Sequence, residues 1–586
     1  MCGIFGYVGN KTNAAAMIFE GLKTLEYRGY DSWGIAVRVG NTLKIEKHVG
    51  KIGDKKLHLP ASSLGIGHTR WATHGGVTVA NAHPHLDCTG KIAVLHNGII
   101  ENYEILKEEL VRKGHVFKSE TDTEIVPHML EEYMEDGMSF SKSMEKTFNL
   151  LKGLSAILAI NNKDQEIVAA KNGSPLIIGV GTNEYFIASD SAGILSYTKK
   201  VIFMRDYEMV ILNTKLLLKN LHSGKTIKPI VETVSWNPES ASKGIYRHFM
   251  IKEILEQPKI VRNIAKTYEG QIKALGQIVE KARRTFFIGA GTASFACMVG
   301  VYLFSRIAKK HANTAVASEF NYLEDFLTKD SLVIPLTQSG ETIDIVEPLA
   351  RVKEKGATIA AITNVLGSTI YRMADFKMLL GAGPEKAVAS TKAYTAKLAI
   401  LWLLSHALIG EFDKAKEELL VCAEEIERLI KKTNLEKVKK LAKKIVTQEH
   451  MYIIGRGISS ATAFEGALKV KEVSYIHAEG LAGGELKHGT IALINKGVPC
   501  VVLAPQDETY DAIMSNAMEV KARGGYIIGI SSKNSPIFDA WIDVHETAFP
   551  AITQVIVMQL LGYYLAVLRK LDPDKPRNLA KSVVVK

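Results

Sequence analysis

The chain has 586 residues, 47% hydrophobic and 23% charged, which is too long for one core and ordinary for globular protein, so about three or four domains are expected. The net charge of +11 does not point to nucleic acid: lysines mostly stand beside glutamates, as in Lys414-Ala-Lys-Glu-Glu and Glu436-Lys-Val-Lys-Lys, a solvated-face pattern that leaves attraction for anionic metabolites as the stronger inference. No apolar run reaches the roughly 18–20 residues of a membrane span, no signal peptide is evident, and Cys2, Cys88, Cys297, Cys422 and Cys500 form no CxxC pair, which argues against zinc or a disulfide framework and for a reduced, cytoplasmic protein.

The chain opens Met1-Cys2-Gly3. A small residue after the initiator allows its removal, which would leave Cys2 with a free α-amine titrating at roughly 7.7–8.0 and able to act as base for its own thiol. On position alone, a small residue packed in an N-terminal strand is the plainer reading. The rest of the domain reverses it. Up to about residue 225, short β-branched runs such as Ala156–Ile160 and Tyr207–Leu212 alternate with Gly-rich turns, and helices are expected near 13–26, 101–113 and 122–135, giving a layered α+β domain.

Three polar clusters in this region are too specific for ordinary loops: Gly67-His68-Thr69-Arg70-Trp71-Ala72-Thr73-His74-Gly75, His96-Asn97-Gly98 and Thr121-Asp122-Thr123-Glu124. A thiol attacking an amide needs an oxyanion hole, which an Asn side-chain amide and a Gly N–H supply. An amino-acid substrate also needs an Arg for its carboxylate and an acid for its ammonium. Arg70, Asn97, Gly98 and Asp122 fit those needs, although each alone also reads as a turn residue or surface ion pair.

With Cys2 and Tyr27-Arg28-Gly29-Tyr30-Asp31-Ser32, these clusters resemble the class II glutamine amidotransferase domain, an N-terminal-nucleophile glutaminase of layered α/β/β/α fold, over residues 1–225. The resemblance implies that Cys2 attacks glutamine, that Asn97 and Gly98 hold the oxyanion, that Arg70, Thr73, His74 and Asp122 hold the amino-acid end, and that Trp71 gates an ammonia channel. Neither a phosphoribosyl-pyrophosphate motif nor a Ser-Gly-Gly ATP loop is found, so the partner chemistry rests on the second half of the chain.

A polar stretch, placed at 226–245, reads as a linker. Beyond it a strand–turn–helix pattern occurs twice at an offset of about 167 residues: Phe286-Phe-Ile-Gly289-Ala-Gly291 with Tyr452-Ile-Ile-Gly455-Arg-Gly457, Leu332–Leu336 with Cys500–Leu503, and Ala357–Ile362 with Gly525–Ile530. Two α/β domains with parallel sheets are expected, at 246–430 and 431–571, with a tail at 572–586.

In the first copy, Thr337-Gln338-Ser339-Gly340-Glu341-Thr342 follows a strand and opens a helix, an arrangement of hydroxyls, N–H groups and helix N-terminus suited to a sugar phosphate. An N-cap with Glu in the first turn is the plainer alternative. Gly289-Ala290-Gly291-Thr292 begins like a dinucleotide fingerprint but lacks the third Gly. In the second copy, Glu465, Lys469 and Glu472 fall on one helix face, either as a carboxylate held by a cation or as a salt-bridge ladder, and His488 on a Gly-rich loop is a candidate acid–base.

With Val388-Ala-Ser-Thr-Lys-Ala393 and the tail Arg577–Ser582, this half resembles the paired sugar-isomerase domains of the glutamine:fructose-6-phosphate amidotransferase family. The resemblance implies a Lys581 Schiff base with the open-chain ketose, ring opening assisted by His488 across a dimer interface, and proton transfer between C1 and C2 by Glu472. It also implies phosphate held by Gln338, Ser339 and Thr342, and sugar contacts from Thr292, Val388, Ser390 and Lys469. Ala290 and Ala293 stand where relatives often carry Cys and Ser, which removes hydroxyl contacts there. The expected partners are L-glutamine and D-fructose 6-phosphate, with no metal, no organic cofactor, no nucleic acid and no membrane. A non-catalytic sugar-phosphate sensor is the rival reading, and only the first copy is expected to bind phosphate.

Overall fold

Alternating β-branched residues send successive side chains to opposite faces of a strand, and the early part of the chain uses both faces. In the computed structural model, which describes residues 2–53, 55–234 and 242–582, an eight-stranded sheet runs in the order Glu232–Thr233, Lys200–Phe203, Ile177–Val180, Glu184–Ala188, Gly3–Gly9, Leu64–Arg70, Ser32–Val39, Thr42–Val49. A seven-stranded sheet runs from Thr226–Ile227 through Leu216–Asn220, Glu208–Leu212, Ile167–Asn172, Ser155–Asn161 and Ile92–Gly98 to His85–Leu86. Ile4, Ile66, Leu95 and Leu158 fill the space between the sheets. Phe5, one residue along from Ile4, faces the Ala14–Leu25 helix with Ile18 and Leu22. On the other side, Val94 and Ile157 pack under the helices Tyr103–Arg112, Ile125–Glu135 and Phe140–Leu150. The result is the expected α/β/β/α layering, with the Phe140–Leu150 helix as an addition the sequence pattern did not mark.

The chain divides into compact units between Ser242 and Lys243, and the segment from Ala580 onward groups with the first unit. Thr226–Ile227 and Glu232–Thr233 pair as edge strands of the first unit. The start placed for the linker at 226 is therefore too early: polar residues that look like a tether complete two sheet edges. The middle of that stretch lies outside the described residues.

The second unit holds the duplication. One parallel sheet runs Ala312–Val316, Arg284–Gly289, Ser331–Pro335, Thr358–Thr363, Phe376–Leu379, and the other His477–Ala482, His450–Gly455, Pro499–Leu503, Tyr526–Ser531, Ala540–Asp543. Both therefore have the order second, first, third, fourth, fifth. Ligands of such sheets bind outside the strand carboxyl ends where the strand order reverses. In each copy that point lies between the loops that follow the first and third strands. The helices Lys392–Ala407, Ile458–Ser474 and Pro550–Leu568 share one continuous core with both sheets. Pro550–Leu568 has the length and apolarity of a membrane span, contrary to the expectation that none exists, but its most apolar window is 83% buried. It is apolar all round because protein surrounds it.

Candidate functional site

Every glutaminase residue singled out in the sequence lines one small cavity of about 30 Å³, where Cys2, Arg70, Trp71, Thr73, His74, Asn97, Gly98 and Asp122 converge. Cys2 leads into the Gly3–Gly9 strand, Arg70 ends Leu64–Arg70, and Asn97 and Gly98 end Ile92–Gly98. The Cys2 backbone is fixed on both sides. Its carbonyl accepts from Asn97 Nδ2 at 3.0 Å and Arg28 Nε at 3.3 Å, while Arg28 pairs with Asp190 at 3.1 Å. The thiol receives the Trp71 N–H at 3.2 Å.

Asn97 is oriented from behind. His68 is completely buried, and that burial pushes its pKa down to about 3, so the ring is neutral. Its Nε2 lies 3.0 Å from Asn97 Oδ1 and 3.1 Å from the His96 carbonyl. Both are acceptors, so Nε2 carries the proton and Asn97 turns its NH₂ toward Cys2. Gly98 has φ +130°, and a Cβ there would lie 1.8 Å from the Leu154 carbonyl oxygen, so no larger residue fits. Asp122 is buried and accepts from Ile100 N–H at 2.7 Å. The Arg70 guanidinium donates to the carbonyls of Gly75 and Gly76, each at 3.1 Å, and to that of His74. It thereby shapes the 74–76 turn around the cavity. Sequence reasoning left His68, Arg28 and Asp190 without roles. The first two lie inside quoted motifs, but only burial and distance reveal what they do.

In the second unit, Gln338, Ser339 and Thr342 stand partly exposed on the loop between Ser331–Pro335 and the Ile343–Glu354 helix. The loop is braced by Gly340 N–H to Thr337 Oγ1 at 3.1 Å and by Thr369 N–H to Glu341 Oε1 at 2.9 Å. Gly340 has φ +67°, and its Cβ position lies 2.0 Å from Ser368 Oγ. Nearby, the buried Glu385 carboxylate ties down the 385–393 segment, accepting from Ser390 Oγ at 3.0 Å and from the N–H groups of Thr391 and Ala393 at 2.9 and 3.0 Å. Val388 donates its N–H to the Asp574 carbonyl at 3.0 Å.

Of the readings the sequence offered for Lys469, the carboxylate held by a cation is the one its surroundings match, with Thr292 beside it. The fully buried Lys469 Nζ lies 3.0 Å from Thr292 Oγ1, 2.5 Å from Glu472 Oε2 and 3.5 Å from Glu465 Oε1. Lys469 therefore acts as the cation that positions Glu472, and Thr292 as its neutral partner. Burial pushes Glu465 up to about 8 against the opposing charge of Lys469. Burial alone would lower Lys469, but the Glu465 and Glu472 carboxylates outweigh it and its pKa is raised. Glu472 is the member of this triad that reaches the surface. His488 is exposed at the end of the Gly483–His488 turn, and Lys581 groups with the first unit.

The matching point of the second copy is a cavity of about 380 Å³ lined by Gly457, Pro505, Gln506, Asp507, Glu508 and Thr509. Here Asp507 Oδ1 accepts from the Thr509 N–H at 2.8 Å and its hydroxyl at 2.6 Å. The two Thr509 donors on this loop are occupied by a resident carboxylate.

These features define a glutamine amidotransferase head on tandem sugar-isomerase domains. The family described as Glutamine amidotransferase domain matches residues 68–196, and the SIS domain family matches 278–407 and 444–569. Over its whole length the chain is 44% identical to the glutamine–fructose-6-phosphate aminotransferase (isomerizing) of Thermococcus kodakarensis and 43% to that of Pyrococcus horikoshii, covering all of each. The solved C-terminal domain of glucosamine-fructose-6-phosphate aminotransferase from Francisella tularensis matches 57% of this chain and all of its own, with TM-score 0.54 and 31% identity. The chain belongs to the glutamine–fructose-6-phosphate aminotransferase (isomerizing) family.

Proposed function

We propose that this enzyme converts D-fructose 6-phosphate and L-glutamine into D-glucosamine 6-phosphate and L-glutamate, opening amino-sugar synthesis. The observation that carries the reading is that one chain gathers Cys2, Arg70, Asn97, Gly98 and Asp122 around one cavity and sets the Gln338–Thr342 loop at a switch point. After loss of Met1, the Cys2 amine takes the thiol proton and the sulfur attacks the glutamine side-chain amide. Asn97 Nδ2 and the Gly98 N–H stabilise the oxyanion. Collapse expels ammonia and leaves a thioester, which water hydrolyses to glutamate. Arg70, Thr73, His74 and Asp122 hold the amino-acid end, and Trp71 gates ammonia at the thiol.

At the sugar site, Gln338, Ser339 and Thr342 hold the phosphate, and Val388 and Ser390 border the sugar. Lys581 forms an imine at C2 of the open-chain ketose, and ammonia replaces the lysine there. Glu472, positioned by Lys469, moves a proton from C1 to C2. Imine formation releases the water that thioester hydrolysis consumes, so atoms balance. His488, exposed on its own chain, assists ring opening in the site of a second subunit, which makes a homodimer the working unit. The reading places the enzyme in the cytoplasm, where free thiols persist. A sensor without turnover is not favoured, because the full-length relatives are named as aminotransferases.

Cys2→Ala is the direct test. Glutamine-dependent synthesis is expected to fall by on the order of 10⁴-fold or more, while isomerisation of fructose 6-phosphate continues. Loss of both activities in a folded variant would overturn the separation of the two chemistries.

A further inference from the structure

Away from both sites, four side chains separated in sequence meet at one point of the first unit. Cys88 lies on the turn after His85–Leu86, His115 just follows the Tyr103–Arg112 helix, and His128 and Glu131 stand three apart on one face of Ile125–Glu135. One ligand atom from each lies within 4.8 Å of all the others. Cys88 Sγ is 3.4 Å from His115 Nδ1 and 3.4 Å from His128 Nδ1. The two Nδ1 atoms are 3.2 Å apart, and they lie 3.2 and 3.5 Å from Glu131 Oε2. A tetrahedral zinc with Zn–N and Zn–O of about 2.05 Å and Zn–S of about 2.3 Å has N–N and N–O edges of about 3.3 Å and S–N edges of about 3.5 Å. The five S–N, N–N and N–O spacings above lie within about 0.2 Å of those edges.

The orientation of the rings points the same way. His115 Nε2 is 3.0 Å from Glu132 Oε1, a carboxylate oxygen that only accepts, so Nε2 carries a hydrogen and Nδ1 is the ring atom turned into the cluster. His128 Nε2 faces Glu124 Oε1 at 3.8 Å, beyond hydrogen-bond reach, and its Nδ1 is likewise the ring atom turned into the cluster. Two imidazole Nδ1 atoms, a carboxylate oxygen and a sulfur converge, and Glu131 is itself held in place by the Cys88 N–H at 3.1 Å to Oε2 and the Thr89 N–H at 3.3 Å to Oε1. All four are donor atoms of the kinds zinc takes, and Glu132 behind His115 is the outer partner that orients a metal-bound histidine. The side chains of His115, His128 and Glu131 are 7%, 1% and 7% exposed, while Cys88 is open to solvent and provides an entry path.

We propose that Cys88, His115, His128 and Glu131 form a closed, four-coordinate structural zinc site, contrary to the expectation of none drawn from cysteine spacing. Its place gives it a purpose. It clamps the 87–90 turn to the Ile125–Glu135 helix, and the segment leading into that helix carries Thr121, Asp122 and Thr123 of the glutaminase cavity.

The test uses the full-length chain, free of any histidine tag and expressed with supplementary zinc. Metal analysis is expected to return about one zinc per chain. Replacement by Co²⁺ should give the near-ultraviolet band of a thiolate–cobalt bond together with tetrahedral visible bands. Cys88→Ser should abolish the thiolate band, and Cys88→Ser with His115→Ala should abolish stoichiometric metal. Glu132→Gln, which touches no metal, should weaken zinc binding by about 10–100-fold. Wild-type protein without zinc and without a thiolate–cobalt band overturns the proposal, as does undiminished metal in the double variant. Stoichiometric iron in place of zinc overturns the choice of metal. Should the double variant fail to fold, the wild-type cobalt spectrum decides.

Discussion

The two sugar-isomerase copies share strand order, loop positions and one hydrophobic core, yet they differ in what they present at the switch point. The first offers Gln338, Ser339 and Thr342 around Gly340, whose φ of +67° and contact with Ser368 exclude a side chain. The second places Pro505 and Asp507 at the matching turn, and Asp507 occupies the Thr509 donors. A proline removes an N–H, and a carboxylate facing a phosphate costs about 4 kcal/mol at a near-surface dielectric. Duplication supplied two scaffolds of one strand order, and under the proposed function local chemistry makes the first the anion anchor. The other carries its ionisable machinery on a different element, the Ile458–Ser474 helix with Glu465, Lys469 and Glu472.

The largest effect that tests this division is Glu472→Gln. If the second copy supplies the proton carrier, synthesis should fall by ~10²–10⁴-fold with sugar-phosphate affinity and glutaminase activity kept, as steady-state kinetics of both half-reactions would show. An unchanged kcat would remove the second copy from the chemistry. Next is Ser339→Ala combined with Thr342→Ala. Two lost phosphate hydrogen bonds at about 1.5–3 kcal/mol each predict a rise of roughly 10²-fold or more in KM for fructose 6-phosphate. Equilibrium titration of the wild type should find one sugar-phosphate site per chain, and two equivalent sites would collapse the distinction between copies.

A smaller effect concerns stability. Glu465 ionises in the unfolded chain near its ordinary value of 4.5 but in the fold only near 8. Between those values the folded state holds the extra proton, so stability is full below about pH 4.5 and falls as pH rises through 8. Glu465→Gln keeps the shape and removes the titration, so its melting temperature should fall less than that of the wild type between pH 5 and 9, by an amount equivalent to a few kcal/mol. Parallel pH–Tm curves for the two proteins would refute the assignment. Smallest is Asp507→Asn. Removing the charge still leaves Pro505 and the missing glycine, so fructose 6-phosphate affinity should change less than about twofold, and calorimetry should detect no second site.

Much of this was legible in the linear sequence, because both reactions rest on short motifs whose spacing is local. Cys2, the 67–75 cluster, His96-Asn97-Gly98 and Thr121–Glu124 each announce their chemistry within a few residues, and the repeat of about 167 residues announces the paired sheets. Strand and helix periods are also local, so the α+β and parallel α/β classes followed, while the strand orders came only with the fold. The reading faltered where composition substitutes for contact. The 226–233 stretch looks like a tether but closes two sheet edges.

What tertiary structure alone decided are roles that depend on burial and convergence. Lys469 reads from sequence in three ways, as the cation holding a carboxylate, as a rung of a salt-bridge ladder, or as a sugar contact. Full burial between Glu465, Glu472 and Thr292 makes it the anchor of Glu472, because a buried ammonium must spend its donors on internal partners. His68 reads as one polar residue among many until burial fixes it neutral behind Asn97. Cys88, His115, His128 and Glu131 spread over more than forty positions without a recognisable spacing. Folding brings their four donor atoms within 4.8 Å of one another, and a coordination geometry is a property of distances in space, which sequence separation does not encode.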